Sequence, residues 1–262
     1  EIFDQINQND GAVLEFSTTG FGTNQDNVNS WNLVGELETG INWYDQRDIA
    51  TAAGRDNIRN VRWSEEELDW KNARNTLNAV ASEGRVQFRV SFRSGPDQRT
   101  SDGFAFDNFF IGQRTRTVLV ENFTNTNSDN PTLINTEANE LNSLSEGGAI
   151  GSELIIINYH TDFPRTNEIN EANPVDPSAR ALFYNIDEIP RAIVDGNIFQ
   201  DDVFSNWGSS SIDLRTLALA NFDISITPTT DNGVINIDAQ ISPRILELEG
   251  DHVSIVAAII EN

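Results

Sequence analysis

Residues 117–200 constrain this chain more than any other part of it, because their local signals alternate in a fixed order. Thr117-Val118-Leu119-Val120-Glu121-Asn122-Phe123 has the apolar, β-branched character of a strand. Thr124-Asn125-Thr126-Asn127 then reads as a turn, and an amphipathic helix is predicted from about Thr132. Glu153 to Tyr159 is almost wholly apolar, which predicts a parallel strand buried on both faces. A short helix is predicted from Asp176 to Tyr184. A third strand follows in Ile189-Pro190-Arg191-Ala192-Ile193-Val194-Asp195-Gly196, with proline at its start, where a missing N–H is tolerated. The corner between the first strand and the first helix reads Ser128-Asp129-Asn130-Pro131.

Strand, helix, strand, helix and proline-led strand in this order resemble a thioredoxin-like fold. More narrowly, four segments together are similar to the thioredoxin-like outer-membrane protein family of Bacteroidetes. They are Val118-Leu119-Val120-Glu121-Asn122-Phe123-Thr124-Asn125-Thr126, Tyr159-His160-Thr161-Asp162-Phe163-Pro164, Pro177-Ser178-Ala179-Arg180-Ala181-Leu182-Phe183-Tyr184, and Ile189 to Gly196. The resemblance implies a cis Ile189–Pro190 bond lying close to the Ser128–Pro131 corner. It also implies that two family cysteines fall on Ser128 and Pro131, so this chain keeps a redox scaffold without thiols.

The chain contains no cysteine at all, which excludes disulfides, thiol catalysis and thiolate metal sites. Its formal net charge of -24 repels nucleic acid and anionic membranes, so neither is an expected partner. Acidity of this size also occurs in calcium-binding proteins and in proteins of saline habitats. No apolar run is long enough for a transmembrane helix. There is no methionine, so Glu1 is read as a processed start, with any signal peptide upstream.

Residues 1–113 read as all-β. Strands are predicted at Gly11 to Phe16, at Trp31 to Gly35 and at Arg85 to Arg93. In the last of these, Val86, Phe88, Val90 and Phe92 share one face, and Gln87, Arg89, Ser91 and Arg93 the other. Gly103 to Gly112 reads as a further strand. These last two resemble the closing strands of jelly-roll modules in secreted adhesion and carbohydrate-binding proteins. Long loops are expected around Asn170 to Pro174 and Gln200 to Gly208, and a helix from Ser211 to Asn221. Three more strands are expected at Phe222 to Ile226, Gly233 to Ala239 and His252 to Ile260, with turns at Asp231-Asn232-Gly233 and Glu249-Gly250-Asp251. The expected architecture is therefore multi-domain and β-rich. It comprises an N-terminal jelly roll (1–113), a central α/β thioredoxin-like domain without Cys-x-x-Cys (114–221) and a partial C-terminal β-sandwich (222–262).

Several candidate sites follow, each with a plainer alternative. Ser128 and His160 belong at the same end of the sheet, with Asp162 nearby, and supply the residue types of a hydrolase. No nucleophile-elbow motif surrounds Ser128, and the plainer view is that Ser128 and Asp129 cap the helix while His160 orders a loop. Resemblance to jelly-roll modules makes Asp107 a candidate calcium ligand, with Glu15, Asp102 and carbonyls near Gly103 as partners. Alternatively, Asp107 bonds neighbouring backbone amides. Glu65-Glu66-Glu67 with Asp69, beside Trp63 and Trp70, is either a site for a cation or a basic partner or a solvated charge run. Trp31, Trp43, Tyr44, Trp63 and Trp70 form either a sugar-stacking platform or a core. The expected function is non-catalytic binding or assembly at the outer-membrane surface or outside the cell, through exposed β edges joined by a protein partner or another copy. A carbohydrate-binding module of a larger enzyme and a Ser128/His160 hydrolase are the alternatives.

Overall fold

A computed structural model describes residues 2–5, 10–19, 31–37, 39–47, 61–64, 69–93, 103–146, 153–196, 204–244, 255, 256, 258 and 260. The chain is β-rich, carries several small sheets, and divides into two compact units, Glu1–Gln113 and Arg114–Asn262. Among the described residues no helix is long and apolar enough to cross a membrane.

In the first unit the strands are β1 (Ile2–Gln5), β2 (Gly11–Ser17), β3 (Asn32–Leu33), β4 (Gln46–Arg47), β5 (Val61–Arg62), β6 (Gln87–Arg93) and β7 (Gly103–Phe106). β2 is the centre of an antiparallel sheet ordered β3-β2-β6, so its side chains are buried nearly throughout. β1 pairs with β7, and β4 with β5, both antiparallel. The expected inside-outside alternation of β6 is only partly realised. Its polar face is half-buried because Arg89 and Ser91 both reach the buried Glu15 of β2. β7 stops at Phe106, well short of Gly112. There Asp107 accepts a hydrogen bond from the Asn108 N–H, and Asn108 turns to a φ of 53°, which ends extended pairing. Trp43, Tyr44 and Trp63 pack ring against ring, and Phe104 stacks on Trp63. Each polar ring atom in this core has a backbone partner: Trp43 Nε1 donates to Val34 O, Trp63 Nε1 to Asn42 O and the Tyr44 hydroxyl to Leu14 O.

The second unit runs β8 (Val118–Thr124), α1 (Pro131–Glu146), β9 (Leu154–His160), α2 (Glu168–Ala172), α3 (Val175–Tyr184), β10 (Arg191–Val194), α4 (Phe204–Leu217), β11 (Phe222–Asp231) and β12 (Val234–Pro243). β8 lies between β9, parallel to it, and β10, antiparallel to it. One face of this sheet carries Val118, Val120, Leu154, Ala192 and Val194, packed with Leu141 of α1 and Ile212 of α4. The other carries Phe123 and Ile193 against Ala181 of α3. The Ile189–Pro190 peptide is cis, as expected, and so is Phe163–Pro164.

Three sequence expectations need correction here. β9 is not buried on both faces: among the described residues it pairs with β8 alone, and Ile155 is 47% exposed. The loop expected around Asn170 contains α2, because Asn167 caps it by accepting from the Ile169 and Asn170 N–H groups. α4 begins at Phe204, inside the other expected loop, and ends at Leu217 rather than Asn221. Its Ser-rich, Gly-bearing start gives little propensity signal. Tertiary bonds nevertheless hold the C-terminal half, from Arg114 to Asp213 and from Arg215 to Asp195.

β11 and β12 form a ten-residue-per-strand hairpin. The expected turn is present, with Asn232 at φ 49° and Gly233 at φ 80°, the left-handed pair that a tight hairpin requires. A third strand over His252 to Ile260 is not formed at the described positions Ile255, Val256, Ala258 and Ile260. There Ile255 and Val256 are 70% and 79% exposed.

Candidate functional site

The parallel pairing of β8 and β9 places Thr124 opposite His160, so the Ser128–Pro131 corner and His160 leave the sheet at one end. Asn130, rather than Ser128 or Asp129, caps α1: its Oδ1 accepts from the Leu133 N–H at 3.2 Å, ahead of Pro131 at the first helical position. Ser128 Oγ is engaged one step earlier, accepting from the Asn130 N–H at 3.1 Å. Asp129 pairs with Arg165.

His160 does not have the geometry of a general base with a carboxylate behind it. Its Nδ1 is buried without a hydrogen-bond partner, and burial lowers its pKa. Its backbone is part of a loop clasp instead, since His160 O accepts from Asn170 Nδ2. Asn125 is the centre of that clasp. Its side-chain nitrogen faces the carbonyls of Thr161, Phe163 and Arg165 at 2.8, 3.1 and 2.6 Å, and its oxygen accepts from the Asn127 N–H. The asparagines at this end of the sheet satisfy loop backbone that would otherwise be buried unpaired.

Two buried carboxylates lie on opposite faces of the sheet, and neither was singled out from sequence. Glu121 of β8 is 1% exposed. Arg180 of α3 grips it with two bonds, Nε to Oε1 at 2.5 Å and a terminal nitrogen to Oε2 at 2.9 Å. The Tyr184 hydroxyl donates to Oε2 at 2.6 Å. Burial first, and then its bond to Glu121, raises the Tyr184 pKa, so the phenol stays protonated. Arg180 also lies over the rings of Phe183 and Tyr184 at 4.9 and 4.7 Å. The charge is thus fully paired, which is a structural arrangement. Glu137 of α1 is 3% exposed, and its Oε1 has no partner. Burial, followed by the nearby charge of Glu140, pushes its pKa up to about 7.

The residues read as calcium ligands are not gathered by the described structure. Glu15 Oε2 accepts from Arg89 Nε at 2.7 Å and from Ser91 Oγ at 2.5 Å, and Arg89 lies 4.1 Å over the Trp31 ring. A guanidinium therefore supplies the positive charge that calcium would bring to Glu15. Asp107 follows β7, in a different sheet, with Oδ1 facing the Asn108 N–H. Asp102 lies outside the described residues, as do Glu65, Glu66 and Glu67. Among the described residues no group of three His, Cys, Asp or Glu side chains could hold a metal. Of the five aromatic residues read as a possible platform, Trp31, Trp43, Tyr44 and Trp63 are buried in the core and Trp70 is exposed. No platform is presented by the set.

The hairpin displays a surface of a different kind. Its register places Phe222, Ile224, Ile226, Pro228 and Thr230 beside Pro243, Ile241, Ala239, Ile237 and Ile235 on one face. The opposite face carries Asp223, Ser225, Thr227, Thr229 and Asp231 beside Ser242, Gln240, Asp238, Asn236 and Val234. One side is thus apolar except for Thr230 at the turn end, yet Ile224 and Ile226 are more than 60% exposed. Comparison with family profiles, with curated proteins and with solved structures returned no match.

Proposed function

We propose that this chain is a non-catalytic binding or assembly protein, secreted or displayed at the outer-membrane surface of a Bacteroidetes-type envelope. The domains proposed are a jelly roll over 1–113, a thioredoxin-like domain without redox chemistry over 114–221 and a partial β-sandwich over 222–262. Pairing of the first strand with the last in the N-terminal unit supports the jelly-roll reading. Support for the thioredoxin-like reading comes from the order β10-β8-β9, with β9 parallel and β10 antiparallel to β8. The lack of any thiol in the chain argues against disulfide exchange as its chemistry.

The observation that carries the binding reading is the hairpin β11–β12, whose uncharged apolar face, and edges that pair with no further strand among the described residues, invite strand addition or face-to-face packing by a protein partner or another copy. Sedimentation velocity on the 262-residue chain and on an Ile226→Lys/Ile237→Lys variant tests it. A concentration-dependent assembly, or a complex with an envelope extract, that is lost in the variant supports the reading. Equal behaviour of the two proteins sinks it. A hydrolase activity falling to background in Ser128→Ala would favour the enzyme alternative, and binding on a glycan array the carbohydrate one. Calcium remains proposed through Asp107 and Asp102. It is tested by a melting temperature that rises with calcium in the wild type and not in Asp107→Ala.

A further inference from the structure

Two buried polar atoms on the α1 side of the central sheet lack the same thing. Asn122 Oδ1 and Glu137 Oε1 are both shielded from solvent, and neither has a hydrogen-bond partner. Both are acceptors while Glu137 is ionised, and a proton on Glu137 turns one of them into a donor. Their placement is matched. Asn122 continues the face of β8 that carries Val118 and Val120, which meet Leu141 of α1 in one core cluster. Glu137 stands one helical turn before Leu141 on the buried stripe of α1. Because α1 returns from the far end of β8 to start the parallel β9, that turn lies toward the strand end where Asn122 follows Val120. The Asn122 amide nitrogen is already committed, donating to Asn158 Oδ1 at 2.9 Å, while its buried oxygen still lacks a donor.

We propose that Glu137 is a proton-dependent clasp: as a neutral acid it donates to Asn122 Oδ1 and fastens α1 to the sheet, and on ionising it loosens that fastening. The charged and titratable groups around it do not offer a substitute. On α1 itself Glu140 adds negative charge and opposes ionisation. From β9 comes His160, whose pKa burial lowers, so it brings no cation as pH rises through neutrality. Glu153, just before β9, adds another acid with a buried, unpartnered oxygen. From α4, Asp213 is held by Arg114 and Arg215 by Asp195. Arg180 is engaged with Glu121 through α3 on the opposite face.

The sign follows from proton linkage. With the folded-state pKa near 7, above the usual glutamate value, the clasp is fully present below the unfolded pKa and is lost as pH rises through neutrality. Urea unfolding of the 262-residue chain and of Glu137→Gln tests this from about pH 4.5 to about pH 8.5. Glutamine keeps a donor for Asn122 at every pH. The two unfolding constants should be similar at the acid end and diverge by roughly a hundredfold in favour of the variant at the alkaline end, since each pKa unit is a factor of ten. Curves that stay parallel overturn the proposal. Infrared difference spectra at about pH 6 give a readout that does not depend on unfolding. A protonated-carboxyl band present in the wild type and missing from Glu137→Gln supports the neutral acid, and no band overturns it. In Asn122→Val that band should move to the frequency of an unbonded acid, and an unmoved band overturns the pairing with Asn122.

Discussion

The two faces of the β10-β8-β9 sheet each bury a glutamate, and they treat it in opposite ways. On the α3 face Glu121 meets Arg180 and Tyr184, which supply a full positive charge and a hydroxyl donor. On the α1 face Glu137 is enclosed one helical turn from Leu141, and among the described residues its Oε1 has no hydrogen-bond partner. The first environment supplies hydrogen-bond donors to both carboxylate oxygens, whereas burial in the second raises the pKa of its acid. Burial alone therefore does not determine what a buried acid does; the partner brought by the neighbouring helix does.

The largest expected effect comes from breaking the paired face. Arg180→Ala leaves Glu121 enclosed without its counter-ion, and loss of one partner of a buried pair costs about 3–5 kcal/mol. Chemical denaturation should show this loss at neutral pH, with Glu121→Ala in the same range. A cost below about 1 kcal/mol for either would mean that the pair is solvated and that the comparison fails.

Next comes the contrast between two identical substitutions. Glu121→Gln should destabilise, because Arg180 loses its charge partner. Glu137→Gln should stabilise at about pH 8, by up to about 3 kcal/mol, since its pKa is displaced from 4.5 to about 7 and each unit is worth about 1.4 kcal/mol. Near pH 4.5 the gain should vanish. His160 acts with the opposite sign: its lowered pKa gives stability that is present above its ordinary pKa and is lost as pH falls through the folded value. Subtracting the variant's profile from that of the wild type removes the histidine contribution and isolates Glu137.

How much of this was legible in the sequence differs element by element. The strands around Val120, Ile156 and Ile193 were legible because runs of β-branched residues bounded by turn residues have few other uses. The turn at Asn232-Gly233 was legible because two successive left-handed residues admit little else. α2 was not, since its capping residue Asn167 sits among asparagines that all look alike in one dimension. Neither was the end of β7 at Phe106, which depends on Asn108 adopting φ 53°. Glu137 did leave a trace: it lies between Ile134 and Leu141 on the stripe that ought to be apolar. Glu121 left one too, as an acid inside Val-Leu-Val-Glu-Asn-Phe. What the sequence did not contain was the partner. Arg180 is 59 residues from Glu121, and only the packing of α3 on β8 joins them. The ion pair of Glu15 was hidden for the same reason, because Arg89 comes from a strand 74 residues away.

A smaller effect is expected at the cap of α1, which sharpens the comparison by loosening the unpaired face without touching its acid. Asn130→Ala removes the acceptor of the Leu133 N–H, and caps of this kind are worth about 1 kcal/mol. If α1 is fastened by Glu137 as argued, the loss measured by denaturation should be similar in the wild-type and Glu137→Gln backgrounds at about pH 5, where both carry a donor. At about pH 8 the loosened helix should exchange its amide hydrogens faster in the wild type than in Glu137→Gln.

The smallest expected change in folding stability lies away from both faces, in the hairpin. Ile237 faces outward on the apolar side of β12, across from Pro228, and is 48% exposed. Placing a charge there with Ile237→Asp removes little packing from the isolated chain, so the shift in unfolding free energy should stay within about 0.5 kcal/mol at low protein concentration. The same change should matter at high concentration if that face is covered by a partner or another copy, because the charge would then be enclosed without a counter-ion. Measuring the unfolding midpoint at two widely separated concentrations decides between these. A midpoint that rises with concentration in the wild type and not in Ile237→Asp identifies the face as an interface. A variant that is strongly destabilised even when dilute would show that the face is buried within the chain itself, and the hairpin would then belong with the two interior faces of the sheet rather than standing apart from them.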